Sequence, residues 1–138
     1  MITGLEIQFD KFPFIGEILK KDRNLSGGNY YRQNHPAALP CPVETTLMLI
    51  GDKWKVLILR DLCGGTKRFG ELKSSLAGIS QKVLTSNLRD MEENGLVNRT
   101  VYPEVPPKVE YSLTELGLSM SPILDAMAKR GTEFKKRL

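Results

Sequence analysis

The chain has 138 residues, 41% hydrophobic and 26% charged, enough for one compact domain to bury a core without disulfides or metal and unlike a disordered or fibrous protein. Two cysteines without CxxC spacing and one histidine exclude a zinc ribbon and a disulfide framework, so neither metal nor cofactor is expected. The formal net charge of +4 is modest, so the position of the charge matters more than its size. Residues 1–21 do not read as a signal peptide, because acidic residues and Pro13 interrupt the apolar positions, and no apolar run is long enough to cross a membrane. A cytoplasmic location without a membrane partner is the expectation.

Residues 1–40 read as an irregular arm, with Gly27-Gly28, Tyr30-Tyr31 and the prolines Pro36 and Pro40; within it Phe14, Ile15, Ile18 and Leu19 could form one short apolar helical face. From Cys41 the pattern is regular. Pro42 suits the first position of a helix carrying Val43, Leu47 and Ile50 and closed by Gly51. A second helix places Trp54, Leu57, Ile58 and Leu62 on one face and stops at Gly64-Gly65, and a short third holds Phe69, Leu72 and Leu76. After the turn Ala77-Gly78-Ile79, Ser80 caps a fourth helix whose Leu84, Leu88 and Met91 share a face and whose end is marked by Asn94-Gly95.

Two β-rich segments follow. Val97 to Tyr102 and Lys108 to Leu113 predict a hairpin, the second alternating Val109, Tyr111 and Leu113 inward with Lys108, Glu110 and Ser112 outward. Thr114 opens a last helical region with Leu116, Met120, Ile123, Leu124 and Met127, split at Ser121-Pro122 into two joined helices with Ser121 as the new N-cap. The domain map is therefore an arm over 1–40, a body over 41–131, and a basic tail over 132–138.

The fold class is mainly α with a small β-hairpin wing, because helix, three-residue turn, helix and hairpin is the order of a winged helix-turn-helix, whose second helix enters the major groove of DNA. At about 3.6 residues per turn, Lys82, Ser86 and Arg89 fall almost opposite the leucine face. Together with Gln81 and Thr85 they offer donors and acceptors for base edges and phosphates, and Ser80 leaves backbone amides free at the helix start. Lys67 and Arg68 lie in a basic stretch just before, and Arg99 and Lys108 could reach phosphates from the hairpin. The acidic Asp90, Glu92 and Glu93 predict entry by the N-terminal half of the helix. The plainer alternative is a solvated amphipathic helix with Arg89 paired to Glu93, and hairpin cations that serve only solubility.

The segments Cys41-Pro42-Val43-Glu44, Gly51-Asp52-Lys53-Trp54-Lys55, Gly65-Thr66-Lys67-Arg68-Phe69-Gly70-Glu71-Leu72, Ile79-Ser80-Gln81-Lys82-Val83-Leu84-Thr85 and Val105-Pro106-Pro107-Lys108-Val109-Glu110-Tyr111-Ser112-Leu113-Thr114 resemble the HxlR family of MarR-like regulators. The resemblance runs from Cys41 almost to Gly131. It implies a homodimer joined through the terminal helices that binds double-stranded operator DNA and regulates transcription. Met120, Ile123, Leu124 and Met127 are the expected interface, with monomer core as the alternative. The chain departs from the family in a longer segment before Cys41 and in Lys129-Arg130-Gly131, where many members carry a tryptophan before the glycine.

The same resemblance implies a thiol sensor at Cys41 that responds to a small electrophile or oxidant. Local physics agrees, since an N-cap position lets the helix dipole and free amides favour thiolate, whereas Glu44 disfavours it. An ordinary packed cysteine is the other reading, and Cys63, at the end of an apolar helix, reads as structural. Catalysis is not expected: no serine or cysteine has an evident base partner, and Gly64-Gly65-Thr66-Lys67 lacks the spacing of a phosphate-binding loop. The remaining rival is a winged-helix module that binds another protein without specific DNA recognition.

Overall fold

The computed structural model describes residues 41–138. Helix α1 spans Pro42–Ile50, and Cys41 precedes it with its carbonyl accepting from Thr45 N at 3.0 Å, the geometry of an N-cap residue. Leu49 begins a compact unit that runs to Leu138. Its second helix, α2 (Lys53–Cys63), starts where the Asp52 carboxylate accepts from Trp54 N at 2.7 Å and ends at Gly64. Ile58, Leu59 and Leu62 are the residues it buries.

A two-residue strand, β1 (Lys67–Arg68), leads directly into helix α3 (Phe69–Ser75). Leu72 and Leu76 anchor this helix in the core, and the chain then turns through Gly78, whose φ of +87° is in the left-handed region that side chains resist. Buried Ile79 closes the turn from inside. Ser80 starts helix α4 (Gln81–Glu93) by accepting from Val83 N at 3.1 Å through its hydroxyl. Leu84, Leu88 and Met91 are at most 1% exposed, and burying three side chains of this size contributes roughly 5–9 kcal/mol before the entropy of ordering is counted.

Strands β2 (Val97–Tyr102) and β3 (Lys108–Leu113) form the expected antiparallel hairpin, in a register that pairs Val97 with Leu113 and Tyr102 with Lys108. The sheet has three strands, however, in the order β1-β3-β2, with Lys67 opposite Tyr111 and Arg68 opposite Glu110. A two-residue strand is too short to show alternation, so sequence pattern alone gave only a hairpin. Directly opposed residues share a face: Val97, Val109, Tyr111 and Leu113 line the core side, and Tyr102, Lys108 and Glu110 the other.

Helix α5 (Glu115–Leu118) is capped by Thr114, whose hydroxyl accepts from Gly117 N at 3.0 Å and donates to the Gly95 carbonyl at 2.5 Å. Helix α6 (Ser121–Lys135) begins one residue earlier than expected: Met120 holds the cap position, and Ser121 lies in the first turn with its hydroxyl donating to the Leu118 carbonyl at 2.7 Å. It continues through Gly131 without a break. Among the described residues no helix is long and apolar enough to cross a membrane.

The joint between hairpin and α5 leaves no room for a side chain at Gly117. A Cβ there would stand 2.2 Å from the Leu96 carbonyl oxygen, a backbone atom that cannot swing away. Gly117→Ala is therefore expected to destabilise the domain by about 3 kcal/mol and to lower Tm by more than 10 °C on the usual scale of about 4–8 °C per kcal/mol. Thermal unfolding followed by circular dichroism checks this; an unchanged Tm would mean that the joint is looser than described.

Candidate nucleic-acid interface

The polar side of α4 is the face left over when Leu84, Leu88 and Met91 turn inward. Gln81, Lys82, Ser86 and Arg89 are exposed, Thr85 is partly so, and together they line one open groove. No ion pair joins Arg89 to Glu93 among the described residues, and neither Lys82 nor Arg89 has a carboxylate partner there. Their charges are thus available to an external anion. Ser80, at the helix start, is exposed as well.

Two residues of the groove carry signals that sequence reasoning missed. Asn87 is 8% exposed and satisfies its amide by donating from Nδ2 to the Val83 carbonyl at 2.9 Å, a bond that keeps a buried polar group from being orphaned. Lys55 reaches across from α2 to form a hydrogen-bonded ion pair with Asp90. Nothing in the spacing of positions 55 and 90 announces this pair. It changes the expectation for the end of α4, because one of the three carboxylates there is already neutralised.

The remaining cations are not gathered into the same groove. Lys67 lies beside Arg60, Asp61, Glu71 and Ser75, whereas Arg68 lines a hollow with the wing-tip residues Glu104 to Lys108. Arg99 is exposed on β2, opposite Tyr111. The two cysteines are free: Cys41 is half-buried at the start of α1, and Cys63 is exposed, with Sγ 3.7 Å from Ser121 Oγ.

The proposed interface residues also divide. Met120 is 7% exposed and belongs to the core of this one chain, and Leu124 packs on that core. Ile123 and Met127 remain 37% and 51% exposed, and Phe134, two turns further along the same side of α6, is 55% exposed. Pro122 lies in the first turn of α6, where Leu124 packs on the core, while Met127 and Phe134 further along stay exposed.

Lys108 is engaged by two residues of the wing, Glu110 and Tyr102. Its Nζ lies 2.9 Å from Glu110 Oε1 and 5.0 Å from the centre of the Tyr102 ring, and Tyr102 Oη donates to the same carboxylate at 3.3 Å. The hydrogen bond from Lys108 holds the Glu110 carboxyl below its ordinary value, with further help from Tyr102 and from the charge of Arg68 and against a smaller cost of burial. Because the folded value is lowered, the pairing is fully present above the unfolded value and is lost as pH falls through the folded one. At neutral pH Lys108 is therefore held, and Glu110→Gln is expected to free it: the log-log salt slope of DNA binding should steepen by about 0.9, the contribution of one added phosphate contact. Fluorescence anisotropy titrations at several salt concentrations measure this, and an unchanged slope would leave Lys108 without a phosphate role.

Residues 49–138 match the family model of the HxlR-like helix-turn-helix. YdeP of Bacillus subtilis, an uncharacterized HTH-type transcriptional regulator, is 48% identical over 98 residues, which covers 71% of this chain and 77% of YdeP. The redox regulator HypR in its oxidized form superposes with a TM-score of 0.65 at 47% identity, over 67% of this chain and 96% of HypR. The reduced form of the transcriptional regulator YodB from Bacillus subtilis gives a TM-score of 0.60 at 39% identity, over 68% and 93% of the two chains. With a buried apolar face and an open polar face on the second helix of the motif, and with relatives that are regulators rather than enzymes, the chain belongs to the HxlR-like helix-turn-helix family and is a DNA-binding transcriptional regulator.

Proposed function

We propose that the protein binds a pseudo-palindromic operator as a homodimer, laying the N-terminal half of α4 in the major groove of each half-site. The observation that carries this reading is the groove along α4, where Gln81, Lys82, Thr85, Ser86 and Arg89 lie on one accessible surface. Lys82 and Arg89 supply charge for phosphates or guanine edges, Gln81, Thr85 and Ser86 supply mixed donors and acceptors, and the first-turn amides beyond Ser80 supply an anion site. Lys67, Arg68 and Arg99 are secondary contacts to flanking phosphates, and Lys108 joins them once released from Glu110. For the homodimer, support comes from α6: Ile123, Met127 and Phe134 form one exposed apolar stripe at helical spacing.

Cys41 is the proposed redox sensor. Its N-cap position and partial burial suit a reactive thiol, and two of the similar solved structures are of a redox regulator, HypR, and of YodB, which has also been solved after diamide treatment. Oxidation or alkylation of Cys41 would shift the dimer between geometries that match the operator and geometries that do not.

A footprint on the DNA upstream of its own gene, repeated across salt concentrations and with or without diamide, tests these elements together. Lys82→Ala and Arg89→Ala are each expected to weaken specific binding by about 10- to 100-fold with circular dichroism unchanged. Operator affinity retained in both variants would place recognition elsewhere, and a flat salt dependence would favour a protein-docking role. Cys41→Ser is expected to bind DNA as the parent does under reducing conditions and to keep its footprint in diamide; a variant that still releases DNA in diamide would remove Cys41 from the sensing role.

A further inference from the structure

We propose that Lys55 is a positioning residue for DNA binding: by holding Asp90 from the neighbouring helix, it removes a negative charge from the recognition groove and fixes the edge of α4 on which that charge sits. The inference rests on the reading of α4 as the recognition helix and deepens it. Lys55 belongs to α2, outside the helix-turn-helix pair, and its side chain is only 14% exposed, whereas Asp90 is 45% exposed and lines the groove beside Arg89.

The charge balance of the groove shows why the pair matters. Its charged lining consists of Lys55, Lys82 and Arg89 against Asp90 and Glu93. With Lys55 in place the balance is positive. Without it the cations and carboxylates cancel, and the Asp90 carboxylate is left unpaired where a phosphate backbone would approach. Lys55 itself is mostly covered, so its ammonium is committed to Asp90 and its aliphatic stem to packing. A long-range contact between positions 55 and 90 also ties the outer edge of α4 to α2, which restrains rotation of the helix about its own axis.

The test uses full-length protein and a duplex selected by the parent from a random-sequence pool. Four variants are compared by anisotropy at several salt concentrations: Lys55→Met, which keeps the stem and loses the charge, Asp90→Asn, the double variant, and Lys55→Arg. Lys55→Met is expected to lose about tenfold in affinity near 0.1 M salt, the scale of one unscreened like charge close to phosphate. Asp90→Asn, the double variant and Lys55→Arg should each remain within about threefold of the parent, with the double variant keeping the parent's salt slope.

A double variant as weak as Lys55→Met, with a slope reduced by about 0.9, would show that Lys55 contacts phosphate itself and would overturn the proposal. So would parent-like binding by Lys55→Met. Fluorescence of Trp54, the single tryptophan, reports folding; the double variant leaves no unpaired charge and carries the test alone if Lys55→Met does not fold. Lys82→Ala and Arg89→Ala on the same duplex separate the two levels. If they bind as the parent does, the recognition-helix reading fails and this proposal with it; if they weaken binding while the double variant is also weak, only this proposal fails.

Discussion

The structure depends on how α4 divides its surface. Leu84, Leu88 and Met91 are sealed inside, and a helix rotated by a single position would turn each of them by about 100°, carrying apolar side chains outward and Lys82 or Arg89 toward the core. Such a rotation costs several kilocalories per mole in lost burial and in charge desolvation. The helix therefore has one stable orientation, and the groove face is its complement. Gly78 and the Ser80 cap set where this helix begins, Gly95 sets where it ends, and the residues between have little freedom left.

Acidic residues decide which cations are usable. A count of Lys and Arg does not say which of them can meet an external anion: Glu110 holds Lys108 and Asp90 holds Lys55. Arg60 is likewise paired with Asp61 at 2.9 Å, which also accepts from Ser75 Oγ at 2.6 Å. The cations left without such partners among the described residues include Lys82 and Arg89. An exposed ion pair is worth little to stability, yet the Lys108–Glu110 and Arg60–Asp61 pairs neutralise cations away from the α4 groove, and the Lys55–Asp90 pair neutralises a carboxylate within it.

Much of this was legible in the residues because it rests on local signals. Pro42, Ser80 and Thr114 start helices, Gly64 and Gly95 stop them, and the apolar spacing in α4 identifies its buried face from the sequence alone, whereas in α2 the cap at Asp52 and the buried Leu59 were not read. What was not legible depends on partners distant in the chain. Strand β1 is two residues long and exists because β3 offers it hydrogen bonds, and the Lys55–Asp90 pair joins two helices at the edge of the α4 groove. The stripe of α6 was visible as apolar, but periodicity alone cannot divide Met120 and Leu124, which pack in or on the core of this chain, from Ile123 and Met127, which stay exposed, and Phe134 was not read as part of it.

The short strand β1 has a mechanical meaning. It runs without interruption into α3 and is hydrogen-bonded to the inner strand of the wing, so the first helix of the helix-turn-helix and the ribbon that follows the second are stitched together. Tilting the wing against α3 would break the pairing of β1 with β3. In the homodimer proposed above, a switch that spares this seam would work like a pair of calipers, changing the separation of two jaws without reshaping either one.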